Sequence, residues 1–294
     1  LSCDSYYGIG DKHQVCQDYA LHGTIDEMEY VIVSDGCSSA EYSEIGAQIL
    51  CHAAKYQIAL CNQTGLFNEC SLNTLSSVLG NGILKRIDEV RMSYPISRGA
   101  LEATLLIAVN TPDRTFVFGW GDGVIIERYR ASNGDEFQAV VNIDFSANAP
   151  FYLVCDRENY LKGLQERGYD EPLIYYTYHY KNTPAGGTPG RSSSVEKEKL
   201  SDGMPYTWLN DKKIYEVGGL ISITVCSDGI KSFQDECKNS VELMTVVPEI
   251  VGYKSTEGDF VKKRMFFLKR KAEKNNWLHY DDIGCGTILI DKNI

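Results

Sequence analysis

Three apolar runs in this chain each end in Asp-Gly: residues 30–36 close on Asp35 and Gly36, residues 116–123 on Asp122 and Gly123, and residues 221–229 on Asp228 and Gly229. A fourth acidic pair, Asp281 and Asp282, opens the last apolar run, 283–290. Carboxylates at strand ends from distant parts of a chain can meet only at one edge of a sheet. Gathered there they repel, and they stay ionised at neutral pH only where a cation offsets them. The chemistry this points to is a divalent-metal site built from aspartates. All-oxygen donors suit Mg²⁺ or Mn²⁺ rather than zinc. Two such ions sharing a carboxylate would lower the pKa of a bridging water and hold phosphate oxygens against it, so hydrolysis of a phosphate ester is the natural use.

Asp-Gly is also a strong hairpin-turn signal, and each pair has a turn reading of its own. Asp122-Gly123 fits that reading best, because alternation resumes at once over 124–129 as in a return strand. At Asp35 and Asp228 helix-like segments follow instead, and a hairpin does not explain them.

The elements that must carry these residues are legible in outline. Residues 15–21 and 29–33 read as strands. A helical period runs from Ser38 through Ile58 with Ser38 or Ser39 as its cap, and a second helix spans 72–92. Residues 102–110, 115–120, 124–130 and 137–143 read as an antiparallel meander, with further strands expected at 150–155, 174–180, 214–217 and 221–226. Helices return at 241–251 and 259–273. Segregated strands and helices indicate an α+β packing. The segment 182–204 has loop composition and is expected to be a mobile flap beside the site, in a single domain covering 1–294.

Composition narrows the partners. Of 294 residues 43% are hydrophobic and 23% charged, as in an ordinary globular protein, and the formal net charge is -11. Such acidity argues against nucleic acid or an anionic membrane as the main partner. Ten cysteines show no Cys-x-x-Cys pair or zinc spacing, which points to reduced thiols and a cytoplasmic location. Walker-type, kinase and Gly-x-Ser-x-Gly motifs are absent.

The ordered series His13 to Asp18, Val31 to Gly36, Ala103-Thr104, Gly121-Asp122-Gly123, Ser227-Asp228-Gly229 and Asp281-Asp282-Ile283 resembles the metal-dependent serine/threonine protein phosphatases of type 2C, in their divergent bacterial branch. Ser43 to Gly46 and 148–153 add to that likeness, which runs from about residue 8 to 290. The resemblance implies a four-layer αββα sandwich, two antiparallel sheets flanked by helices, with two Mg²⁺ or Mn²⁺ ions at one end. By that analogy Asp35 bridges the ions, the Gly36 carbonyl binds one, and Asp228 and Asp281 hold the other. Asp122 matches the aspartate that, with Asp228, holds a third ion in some members. Asp18 matches the acid that orients metal-bound waters, and Asp282 is expected to be structural.

The implied reaction is hydrolysis of phosphoserine and phosphothreonine in a phosphorylated protein, by direct attack of a metal-bridging water. Two departures stand out. Cys37 occupies the place of a histidine general acid found in animal members. His13 stands where many members carry a phosphate-gripping arginine, and it is the candidate phosphate-binding and catalytic side chain here, without a bidentate fork. His279 is a second candidate donor. The alternatives are a catalytically weak member acting as a binding or regulatory module, and a hydrolase of small phosphate esters.

Overall fold

The computed structural model describes residues 2–169, 173–183, 190–199, 206–211, 219–253 and 255–291. Strand β1 (Cys3–Gly8) leads to β2 (Asp18–Ile25) and β3 (Met28–Asp35), then to helices α1 (Ser43–Gln63), α2 (Leu66–Glu69) and α3 (Leu72–Ser93). Next come β4 (Leu105–Asn110), β5 (Arg114–Trp120), β6 (Gly123–Arg130), β7 (Glu136–Phe145), α4 (Arg157–Glu166), β8 (Leu173–Thr183), β9 (Gly190–Lys199) and β10 (Tyr206–Asp211). The chain continues through β11 (Gly219–Cys226), a 3₁₀ turn at Asp228–Lys231, β12 (Phe233–Gln234), α5 (Leu243–Val251), α6 (Phe260–Lys274), β13 (Leu278–His279) and β14 (Ile283–Leu289).

Among the described residues the strands form a seven-stranded sheet, ordered β1-β14-β11-β6-β7-β8-β9, and a five-stranded sheet, ordered β10-β5-β4-β3-β2, with β12 and β13 as a short ribbon. The pairings within both sheets are antiparallel. Three apolar layers hold the stack together. Tyr30, Ile32, Leu105, Ile107, Phe116 and Phe118 pack against Leu50, Ala54, Leu79 and Ile83 of α1 and α3. Val31, Val33, Leu106, Val117, Ile125 and Ile223 fill the space between the sheets. Val124, Ile126, Cys285 and Leu289 meet Val247, Ile250, Met265 and Leu268 of α5 and α6. The expected four-layer αββα sandwich is therefore what the chain forms. Both faces of β3, β4 and β5 are covered, which is why those strands read as unbroken apolar runs. Each fully buried Ile, Leu or Phe contributes about 1.5–3 kcal/mol.

Several local expectations are corrected. The first helix starts at Ser43, because the chain beyond Asp35 stays tied to the sheet through the Gly36–Ala103 bridge and the bond from Cys37 N to Glu102 O, 2.9 Å. Residues 150–155 form no strand: Pro150 has no N–H to donate, Phe151 turns into the inter-sheet layer, and Tyr152, Leu153 and Val154 pack toward the α3 layer. The meander is broken at Asp122, where the chain passes from one sheet to the other. In the expected flap over 182–204, residues 190–199 are instead the exposed strand β9, paired along β8. Residues 184–189, 200–204 and the strand expected at 214–217 lie outside the described residues.

The second long helix does begin where its period predicts. Ser71 Oγ accepts the Thr74 amide at 3.2 Å as its N-cap. Ser71→Ala is expected to cost about 1 kcal/mol, read as a lower denaturant midpoint with unchanged slope.

Candidate active site

The topology brings the acidic residues to one end of the sandwich. Asp18 starts β2 and is the register partner of Asp35 at the end of β3. Asp122 sits between β5 and β6, Asp228 lies two residues past β11, and Asp281 and Asp282 immediately precede β14. Cys226 pairs with both Val124 and Cys285, so the ends of β6, β11 and β14 lie side by side. Backbone packing there is tight. A Cβ on Gly229 would fall 1.6 Å from the Asp282 carbonyl oxygen, and Gly121 holds φ at +91° beside Thr104, so neither place admits a side chain without displacement.

Asp35 is fixed from behind. Its amide donates to Thr104 Oγ1 at 3.0 Å, the Thr104 amide returns a bond to the Asp35 carbonyl at 2.8 Å, and the Gly36 amide donates to the Gln17 carbonyl at 3.2 Å. Burial raises the Asp35 carboxyl well above the usual range, and the charges of Asp18, Asp228, Asp122 and Asp281 push the same way. Asp18 is 2% exposed, both of its oxygens are buried without a well-formed hydrogen bond, and burial raises its pKa, with the neighbouring Ser227 and Asp35 acting in the opposite sense. Asp122 and Asp281 are raised by burial and then by Asp228.

Asp282 does different work. Its oxygens accept the amides of Gly10 at 2.8 Å and Gln17 at 2.6 Å, tying the loop between β1 and β2 to the start of β14. His13 lies in that loop, with Nδ1 2.9 Å from Asp282 Oδ2 and Nε2 3.5 Å from Asp281 Oδ1. Burial opposes charging of this imidazole. Asp282, Asp281 and Asp18 outweigh it and raise the His13 pKa. The candidate phosphate ligand is thus held against two carboxylates. Asp282→Ala is expected to loosen the loop and lower turnover by roughly 10–100-fold, the scale of lost outer-shell support. Steady-state kinetics beside a melting curve would separate that from global unfolding.

His279 is a packed ring: it is buried, stacks on Phe233 with centroids 4.7 Å apart, and burial lowers its pKa to about 4. Cys37 lies near Ser39, with Sγ and Oγ 3.1 Å apart. Three further groups stand at this end without a role read from the sequence. Lys231 is 2.8 Å from Asp144 and 3.9 Å from Asp228, and although burial opposes its charge, those two carboxylates raise its pKa. Ser232 Oγ accepts the Asp281 amide at 3.1 Å. The Tyr152 phenol is raised by burial and then by Cys37 and Asp122, which places it at the same end. Only Lys231 had a readable signal, a cation three residues after Asp228.

Among the described residues no three His, Cys, Asp or Glu side chains converge on one point at ligating distance. The donor set still fits a hard divalent cation. Carboxylates opposing one another's ionisation, and two buried Asp18 oxygens without a well-formed hydrogen bond, are what such an ion would relieve.

Two facing antiparallel sheets with helices outside and aspartates at one end define a phosphatase-type sandwich. Residues 10–174, more than half of the chain, match the family model of protein phosphatase 2C, and the chain belongs to that family. No curated protein matches it in sequence. Its fold is similar to that of a bacterial serine phosphatase, 10% identical, over 99% of this chain and 98% of that one, with a TM-score of 0.52. It is similar also to a serine-threonine phosphatase 2C from Toxoplasma gondii, 12% identical, over 98% of this chain and 94% of that one, with a TM-score of 0.50.

Proposed function

We propose that this chain is one phosphatase unit that hydrolyses phosphoserine and phosphothreonine in proteins and depends on Mg²⁺ or Mn²⁺. The observation that carries the reading is the half-buried Asp35 carboxyl at the end of β3, whose ionisation is opposed by four other aspartates drawn from distant parts of the chain. Asp35, the Gly36 carbonyl, Asp228 and Asp281 would hold two ions, and Asp122 with Asp228 a third. Bound ions would supply a water of lowered pKa and offset the charge of the phosphate. The chain's own residues do the rest. Thr104 fixes the Asp35 backbone, Asp18 presents two oxygens without a well-formed hydrogen bond toward the site, and Asp282 anchors the loop that carries His13. His13, whose pKa its carboxylate neighbours raise, would offer at most a single donor to a phosphate oxygen. Ten free cysteines support a reducing, cytoplasmic setting. Among the described residues no helix is long and apolar enough to cross a membrane.

A binding or regulatory module is the second reading, favoured by the lack of a three-ligand point among the described residues and by Cys37 in place of a histidine. Hydrolysis of an aryl phosphate and of a phosphothreonine peptide, with Mn²⁺ or with chelator, decides between them. Turnover that chelation abolishes is expected, with the peptide preferred. Preference for the small ester would move the substrate class, and metal binding without turnover of either substrate would leave the regulatory module.

A further inference from the structure

A cavity of about 600 Å³ shares no residue with the aspartate cluster. Its walls follow from strand alternation. Tyr176, Tyr178 and Tyr180 recur at every second position of β8 and so project from one face, Tyr206 and Trp208 do the same on β10, and Glu127 enters from β6. Two ring pairs stand in its wall: Tyr176 and Tyr206 have centroids 5.6 Å apart, and Tyr178 stacks on Tyr180 at 6.4 Å. Glu127 is 5% exposed and accepts the Tyr129 hydroxyl, but no described Lys, Arg or His lines the cavity or pairs with it. Glu198, on exposed β9, adds a second negative charge to the rim.

We propose that this cavity binds a small alkylammonium ion, with the aromatic faces around the alkylated nitrogen and the Glu127 carboxylate as its counter-charge. Aromatic faces carry negative potential and attract cations whose charge is spread over methyl groups. A buried carboxylate without a cationic partner is costly, and a bound cation removes that cost. A hard metal ion would need several oxygen ligands, and the cavity's buried carboxylate is a single one. An uncharged apolar guest would leave Glu127 uncompensated. The volume is that of a small-molecule site. This site is independent of the phosphatase reading, and its test does not use hydrolysis.

Trp208 lines the cavity and reports on it directly. The full chain would be titrated with choline chloride, with its uncharged carbon isostere dimethylbutanol, and with sodium chloride at matched ionic strength, following tryptophan fluorescence. A saturable change is expected with choline alone, and it should vanish in Trp208→Phe. Glu127→Gln, shown folded by circular dichroism, should weaken binding by about tenfold or more, the scale of one desolvated cation interaction. Tyr178→Leu should weaken it too, and provides the same test if the Glu127 variant fails to fold. Equal binding of the uncharged isostere, no saturable change in the unmodified protein, or undiminished binding in the folded variants would overturn the proposal.

Discussion

Asp35→Asn is expected to abolish metal-dependent hydrolysis while raising the melting temperature measured in chelator. The two effects have one cause. In the folded chain the Asp35 carboxyl is half-buried and faces four other acidic residues, so its charge opposes folding when no cation is present. An amide of the same shape removes that opposition and keeps the backbone bonds to Thr104. On the proposed reading, however, the same carboxylate binds both ions, and losing it forfeits several kcal/mol of charge stabilisation in the transition state. At about 1.36 kcal/mol per decade that is roughly 10³-fold in kcat/KM. Adding Mn²⁺ should reverse the stability order, because the ion stabilises the native state of the unmodified protein more than that of the variant. Melting curves with and without Mn²⁺ check the sign. A variant less stable than its parent in chelator would mean that Asp35 makes a structural bond, and retained turnover would remove it from the metal site.

The position of Asp35 is legible from the residues alone, and the reason is specific. Val31, Ile32 and Val33 announce a strand buried on both faces, and the change to helical spacing after Ser38 shows that the Asp-Gly that follows is no hairpin. Asp122 is harder to place. Its neighbours alternate on both sides, which is as consistent with a hairpin as with a crossing between sheets, and only long-range pairing decides between them. Strand β9 is hidden because all ten of its residues are exposed, so it has no apolar phase to reveal it. Helix α4 is hidden for a related cause: Leu164 is its one buried side chain. Of the groups missed at the site, Tyr152 lies within the 148–153 stretch, which showed no role for it, and Lys231 and Ser232 follow the Asp228-Gly229 pair. They arrive there through the packing of segments that are distant in sequence or that follow a turn.

The buried Glu127 carries the other large prediction. Burial lifts its pKa to about 7 from an ordinary carboxyl value near 4.5, with the Tyr129 hydroxyl acting in the opposite sense. Between those two values the folded protein holds a proton that the unfolded chain has released. Stability therefore falls as pH rises through the interval and is flat above it, with respect to this group. Glu127→Gln keeps an acceptor for Tyr129 and removes the titration. The variant should match its parent at pH 4 and exceed it increasingly up to pH 7. The gap should reach about 3 kcal/mol at pH 8, since each tenfold difference in proton affinity between the folded and unfolded chains is worth about 1.36 kcal/mol and the two pKa values lie about two and a half decades apart. Urea midpoints across that range, at constant ionic strength, give the difference curve. A flat difference would show that Glu127 titrates normally and that its cavity is open to water. If the difference does rise, choline at pH 8 should bring the parent toward the variant while leaving the variant unmoved, because the guest compensates the charge that the substitution deletes.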